Sequence, residues 1–343
     1  MSFTIRPTTA ADIPAVFSLF DTAGLHPSSR EQDLDWKYWQ PRADWPQARS
    51  YVLAKDAQIF AHAGVVPSTC VWNGHRASVL HLIDWAAAPG RVGAGMALLK
   101  HISWLADALI GVGGNEYSLR SLPAIGFERC GTETEYVRVL HPFRYLTNSP
   151  LWGWRTLPKL GRSILWSLAA PLHKDPDWSW RRLASNQLQS LEGVLPRARG
   201  DFAALERSSN LFAYMLKCPI ASMALHRLEK AGQTRGYFLL SFVPGQARLA
   251  DCWVDSDDTS SWRALVQCAV QAARQDPGVA ELIAVANEPL LSGALKAAGF
   301  HARGTSPITV LVRKGHDFPP AFRVQMLDSD AAYRHRGYAI YLA

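Results

Sequence analysis

Apolar positions change period several times along the first 140 or so residues. FTIRP (3–7) alternates and predicts a strand. AADIPAVFSLFDTAG carries its apolar residues at helical spacing, and SREQDLDWKYWQ opens with a serine and early acids, a helix-start signature. Three β-rich runs follow, SYVLAKD, QIFAHAGVVPSTCVW and HRASVLHLIDWAAA, separated by hairpin-like turns at KDA and NGH. The pattern predicts a strand, two helices and an antiparallel meander. Past a glycine-rich loop, Leu98, Leu99, Ile102, Leu105 and Leu109 recur at helical spacing, with Lys100, Ser103 and Asp107 opposite. A short strand ALIGVGG, a helix EYSLRSLPAIG and a strand ETEYVRVLH complete a compact α/β unit.

The second half repeats part of this design. HLIDW (81–85) has a counterpart in RLADC (248–252), and NEYSLRSLPAIGFERCGT (115–132) in NEPLLSGALKAAGFHARGT (287–305). Asn-Glu, Gly-Phe and Gly-Thr recur in the same order, which indicates an internal duplication. A chain of 343 residues also exceeds one ordinary core. Two copies of one fold are expected, at 1–141 and 196–343, joined by a connector at 142–195.

Composition, with 48% hydrophobic and 19% charged residues, is that of a globular chain. Five scattered cysteines without a CxxC pair suit reduced thiols and supply no metal site. MSFTIRPTTAADIPAVF has no apolar run behind a basic cap, and no 18-residue apolar window occurs, so a cytoplasmic protein is expected. The net charge of +7 changes the picture only locally. No acid lies between Glu135 and Asp175, whereas Arg138, Arg144, Arg155, Lys159, Arg162 and Lys174 do. The same connector holds Trp152, Trp154, Trp166, Trp178 and Trp180, and a helical stretch with Leu160, Ile164, Leu165 and Leu168 on one face. It reads either as a linker helix packed between domains or as a peripheral membrane contact through residues 152–180 at the inner face. Nucleic acid is not an expected partner, because the basic residues form no recognisable module.

The loop itself, APGRVGAG (88–95), crowds three glycines between strand and helix, where outward amides and a helix N-terminus favour an anion. The dinucleotide fingerprint fails at Leu98, and no Gly-Lys-Ser/Thr is present. Gly90-Arg91-Val92-Gly93-Ala94-Gly95 instead resembles the pyrophosphate loop of the GNAT superfamily of acyl-coenzyme A-dependent acyltransferases, with Gly90 in the usual Arg/Gln place. Asn115, Gly126-Phe127 and the opening IRPTTAADIPAVFSLF resemble further GNAT motifs. The resemblance covers residues 3–141 well and 200–313 faintly. It implies an α/β (α+β) fold of two tandem GNAT-like domains, each a mixed, mostly antiparallel sheet flanked by helices.

The resemblance also implies roles. Acetyl-coenzyme A or another acyl-coenzyme A would bind at Trp85, Ala86, Arg91, Val92, Gly93, Ala94, Gly95, Met96 and Asn115, with a backbone N–H near Trp85 and Ala86 polarising the thioester. Asp84 would accept the proton of an amine acceptor, with His81 as an alternative. The usual tyrosine acid falls on Leu122, which leaves Tyr117 as the nearest phenol. The second copy has DSDDTSSW in place of the glycine loop and is expected to have lost cofactor binding. The helix containing Trp36-Lys37-Tyr38 is similar to that of proteins encoded beside bacterial exopolysaccharide genes, which suggests an amino-sugar acceptor. Trp36, Tyr38 and Trp39 would either stack on a sugar ring or anchor the early helices. Arg334, His335 and Arg336 would line a pocket for an acidic acceptor, or the tail would tuck against the core. A non-catalytic acyl-coenzyme A-binding scaffold or sensor at a membrane-associated polysaccharide assembly is the competing expectation.

Overall fold

The structure, a computed structural model, describes residues 3–25, 31–91, 93–145, 156–169, 175–199, 202–335 and 341–342. Strand β1 (Thr4–Pro7) leads into helix α1 (Ile13–Thr22), then α2 (Glu31–Leu34), which runs into a wider π turn at Asp35–Trp39. Strands β2 (Ser50–Lys55), β3 (Gln58–Trp72) and β4 (His75–Ala87) form the expected meander. Asn73 and Gly74 both take positive φ in the β3–β4 turn, as a tight right-twisted hairpin requires. Helix α3 (Ala94–Ile102), strand β5 (Ala108–Val112), helix α4 (Glu116–Ser121) and strand β6 (Glu128–Val139) follow. The helical spacing that reaches Leu109 overshoots: α3 ends at Ile102, and Leu109 is a buried β5 residue.

Helix α5 (Thr156–Ala169) precedes strands β7 (Trp178–Arg182) and β8 (Ala204–Leu205) and helix α6 (Ser209–Met215). The second meander is β9 (Ser222–Lys230), β10 (Gln233–Val243) and β11 (Gln246–Val254). It is followed by α7 (Thr259–Arg274), β12 (Glu281–Ala286), α8 (Pro289–Ala297) and β13 (His301–Val312). The order from β9 onward repeats that of β2 onward, so the duplication read from the motifs is structural. Gly126 and Gly299 both take positive φ just past a helix, and Phe127 and Phe300 are both buried.

The two halves do not close as separate sheets. One sheet runs β1-β2-β3-β4-β5-β13-β6-β12-β11-β10-β9-β7, with β8 against β3. At its centre the strands alternate between copies: β13 lies antiparallel between β5 and β6, and β6 pairs with β12. Each copy therefore gives its last strand to the other. The domain limits read from sequence also shift, because Trp178–Arg182 pairs with β9 as the edge of the second half. The cores follow the exchange. Tyr136, Val137 and Val139 of β6 pack with the second half, and Ile308 and Val310 of β13 pack with Val79 and Ile110 of the first. Among the described residues, no helix is long and apolar enough to cross a membrane.

Candidate active site

Strands β4 and β5 run parallel through only three pairs, Val79–Ala108, Leu80–Leu109 and His81–Ile110, and then part. The separation starts at a bulge. The β3–β4 register slips between His62 and Gly64, and Asp84 sits at φ +47°. A buried chain of hydrogen bonds fixes that bulge. Thr8 Oγ1 donates to Ser50 Oγ (2.8 Å), Ser50 Oγ lies 2.8 Å from His62 Nε2, and His62 Nδ1 lies 2.9 Å from the Asp84 carbonyl oxygen. Burial pushes His62 down to about 4, so its ring is neutral at neutral pH. Its single N–H must then be on Nδ1, facing the carbonyl, with Nε2 accepting from Ser50. Beyond the bulge a cleft of about 520 Å³ opens between the strands, with Glu133 and Ser306 also on its wall and residues 329–331 and Arg334 of the C-terminal segment on another side.

The glycine loop stands at the head of α3. Gly93 takes φ +83° at the helix N-cap, and a Cβ there would meet nothing within 4 Å, so glycine is required by the backbone rather than by crowding. Gly95 is the opposite case: a Cβ would lie 2.9 Å from Trp85 Nε1, which donates to the Gly95 carbonyl at 3.3 Å. The amides of Arg91 and Ala94 already bond to the carbonyls of Ala88 and Arg91. Those of Gly93, Gly95 and Met96 have no acceptor among the described residues. Unbonded amides at the start of a helix favour an anion. Arg91 is held over the Phe60 ring at 4.8 Å, and Val92 lies outside the described residues.

Three side chains converge behind the bulge. Asp84 accepts a 2.6 Å hydrogen bond from Tyr38 and ion-pairs with Lys37, whose Nζ also reaches Asp330 at 3.5 Å. Lys37 and Tyr38 come from the π turn, which lets both residues and Trp36 face inward together. Burial alone would raise the Asp84 carboxyl, but Lys37 and the Tyr38 hydrogen bond outweigh it and hold it below the ordinary carboxylate range.

No family model and no curated protein matches the sequence. Solved structures do match its fold. A tandem GNAT protein from the clavulanic acid biosynthesis pathway aligns over 92% of this chain and 100% of its own, at 13% identity and TM-score 0.58. The chain has the tandem GNAT fold. A probable N-acyltransferase from Enterococcus faecalis aligns over 91% of this chain and 72% of its own, at 12% identity and TM-score 0.58. Saccharomyces cerevisiae N-myristoyltransferase, solved with bound myristoyl-CoA and inhibitors, aligns over 91% and 80% at 12% identity and TM-score 0.61.

Within this GNAT fold, Asp84, Trp85 and Asn115 line the cleft, and Gly93 to Met96 start the helix at the loop. Ala86 is buried opposite His62 on β3. Two expected catalytic roles need correction. Asp84 is closed into an ion pair and serves as an anchor, because its carboxylate is already committed to Lys37 and Tyr38. Tyr117 is 81% exposed on α4 and does not line the cleft, whereas Leu122 does. Asn115 caps α4, its Oδ1 accepting from the Ser118 amide and hydroxyl at 2.9 Å each. Trp36 and Tyr38 are buried, and Trp36 stacks on Tyr214 at 4.8 Å, so they anchor the early segment and are closed to a sugar. His81 lines the cleft with neither ring nitrogen hydrogen-bonded among the described residues. Burial keeps it neutral, down to about 4. Sequence reasoning missed Glu133, whose signal was the pair of acids on one face of TETEY, and it missed Asp330.

The second half repeats the splay but fills it. β11 and β12 pair from Gln246–Glu281 to Leu249–Ala284 and then part. Residues 322–325 occupy the opening. Gln325 bonds both the N–H (2.9 Å) and the C=O (3.0 Å) of Cys252, the counterpart of Trp85. Asn287, the counterpart of Asn115, bonds the Phe322 carbonyl (2.7 Å) and the Val324 amide (3.0 Å). Arg323 pairs with Glu288 and lies over Trp253 and Trp262 at 4.3 and 5.0 Å. Asp258 caps α7 through the amides of Ser260 and Ser261, which sets a carboxylate where the first half leaves amides open. Asp251, the counterpart of Asp84, accepts from Tyr237 (2.6 Å) and forms a bidentate pair with Arg207. The Asp–Tyr–cation anchor is thus common to both halves and belongs to the bulge.

Proposed function

We propose that the first half binds an acyl-coenzyme A across the β4–β5 cleft and that the protein transfers the acyl group to an amine. The observation that carries this reading is the contrast between halves: one splayed strand pair is open and headed by amides with no acceptor among the described residues, and the other is filled by the chain's own residues 322–325. The amides of Gly93, Gly95 and Met96 would hold the diphosphate, with the α3 dipole adding to the attraction. Trp85 and the β5 edge would flank the chain leading to the acyl group. Bound there, acyl-coenzyme A would supply an activated thioester. The neighbours named N-acyltransferase support acyl transfer in general.

Isothermal titration with acetyl-coenzyme A tests the reading: one site per chain is expected, and no binding rejects it. A second reading, a non-catalytic acyl-coenzyme A-binding scaffold, is favoured by the lack of any tyrosine on the cleft wall among the described residues. Thiol release with amines separates the two.

We propose α5 as the segment that would make a peripheral membrane contact. Trp166 is stacked on His301 at 3.9 Å and Trp178 is buried, while Leu165 and Leu168 are 67% and 74% exposed; Trp152 and Trp154 lie outside the described residues. Sedimentation with anionic liposomes, lost in a Leu165→Ser/Leu168→Ser variant, is the expected outcome. An amino-sugar acceptor and a place in exopolysaccharide synthesis rest on the resemblance of the early helix alone.

A further inference from the structure

Three carboxylates line the cleft, Asp84, Glu133 and Asp330, and they differ in how far they are already engaged. Asp84 holds Lys37 and the Tyr38 hydroxyl. Asp330 shares Lys37 at 3.5 Å and has Arg334 at 4.0 Å. Glu133 has neither a cation at ion-pair distance nor a hydrogen-bond partner among the described residues, although it is buried to 9% exposure. A carboxylate left uncompensated at that depth is costly, and such groups concentrate where charge must change during a reaction.

We propose that Glu133 is the base that takes the proton from the acceptor's ammonium group. This rests on the acyl-transfer reading. At neutral pH a primary amine arrives as R–NH3+, which has no lone pair to attack a thioester. One N–H bond breaks, an O–H bond forms on the Glu133 carboxylate, and the electron pair stays on nitrogen; the positive charge of the ammonium and the negative charge of the carboxylate disappear together. The groups facing Glu133 suit this. Glu135 on its own strand and Asp328 from the 326–328 turn are acids that both raise its proton affinity, after burial itself. His81 of β4 shares the cleft wall and is neutral, and Ser306 of β13 lies opposite in register. Asp330 and Arg334 face the same cleft from the C-terminal segment. Burial, Glu135 and Asp328 set Glu133 at about 7, where half of it is ready to accept a proton at neutral pH. Its strand lies between β13 and β12, so the base is positioned by the exchange between halves.

The experiment uses the full-length protein and Glu133→Gln, which keeps the side chain's size, with Glu133→Asp as the conservative control. Carbon-13 NMR of glutamate carboxyls in the ligand-free protein is expected to show one resonance titrating near 7 that is missing in E133Q. A midpoint in the ordinary carboxylate range overturns the proposal. Titration with acetyl-coenzyme A is expected to be the same for wild type and E133Q; a wild type that fails to bind rejects acyl transfer itself. Thiol release from acetyl-coenzyme A is then followed with ethanolamine, putrescine and glucosamine between pH 5.5 and 9. The expected loss in E133Q is on the order of 10²- to 10⁴-fold in kcat with KM for acetyl-coenzyme A unchanged, partly restored in E133D, together with loss of the rise near pH 7. Equal rates in E133Q, or a wild type that binds acetyl-coenzyme A and releases no amine-dependent thiol, overturn it.

Discussion

Gly93 and Gly95, two residues apart, do different work, and substitutions should separate them. Gly93→Ala forces a β-carbon into left-handed backbone that has room for it, so the fold should lose only about 1 kcal/mol while acetyl-coenzyme A affinity drops as the helix start distorts. Gly95→Ala drives a methyl into Trp85, and chemical denaturation should show a loss of about 1–3 kcal/mol. Behind the bulge, Lys37→Met strands Asp84 without its cation and should cost roughly 3–5 kcal/mol in the same measurement. Glu133 predicts the opposite sign. Burial and two acids raise it from 4.5 to about 7, so between those values the folded state holds a proton that the unfolded chain releases. Stability from this group therefore falls as pH rises through the window. E133Q should be more stable than wild type by roughly 1–3 kcal/mol at pH 8, with the difference vanishing toward pH 4.5. Melting curves across that range check it.

At the scale of elements, hydrophobic period and turn residues were enough to read the meander, the loop-to-helix step and the duplication, because all are encoded locally. What could not be read is non-local. Nothing near TETEY says that its neighbours will be β13 and β12, so its paired acids mark a polar face but do not place Glu133 in a cleft. Asp84 drew attention by standing where the resembling family has an acid. Its closure by Lys37 and Tyr38 depends on a π turn that a helical-period reading cannot distinguish from an ordinary helix. The second half is expected to have lost its cofactor for want of glycines; what the structure shows there is Gln325, 73 residues away in sequence, returning to clamp Cys252. Gln325→Ala, which removes both clamping hydrogen bonds, should destabilise the protein by about 1–3 kcal/mol and leave acetyl-coenzyme A stoichiometry at one, because Asp258 still caps α7. Calorimetry measures both.

Over the whole molecule, the reciprocal loan of β6 and β13 joins the halves into one unit. Thermal unfolding should accordingly be a single transition followed alike by tryptophan fluorescence and circular dichroism. A fragment of residues 1–141 leaves β5 without a partner on one side and β6 with none on either, and should not fold alone.

The same loan gives the filled second half a part in building the first. Deleting the second half would strip the first of the strand beside β5 and of the C-terminal segment that walls its cleft. The second half therefore acts as scaffolding for the cleft, and substitutions in it should disturb that cleft as surely as substitutions in the cleft's own wall.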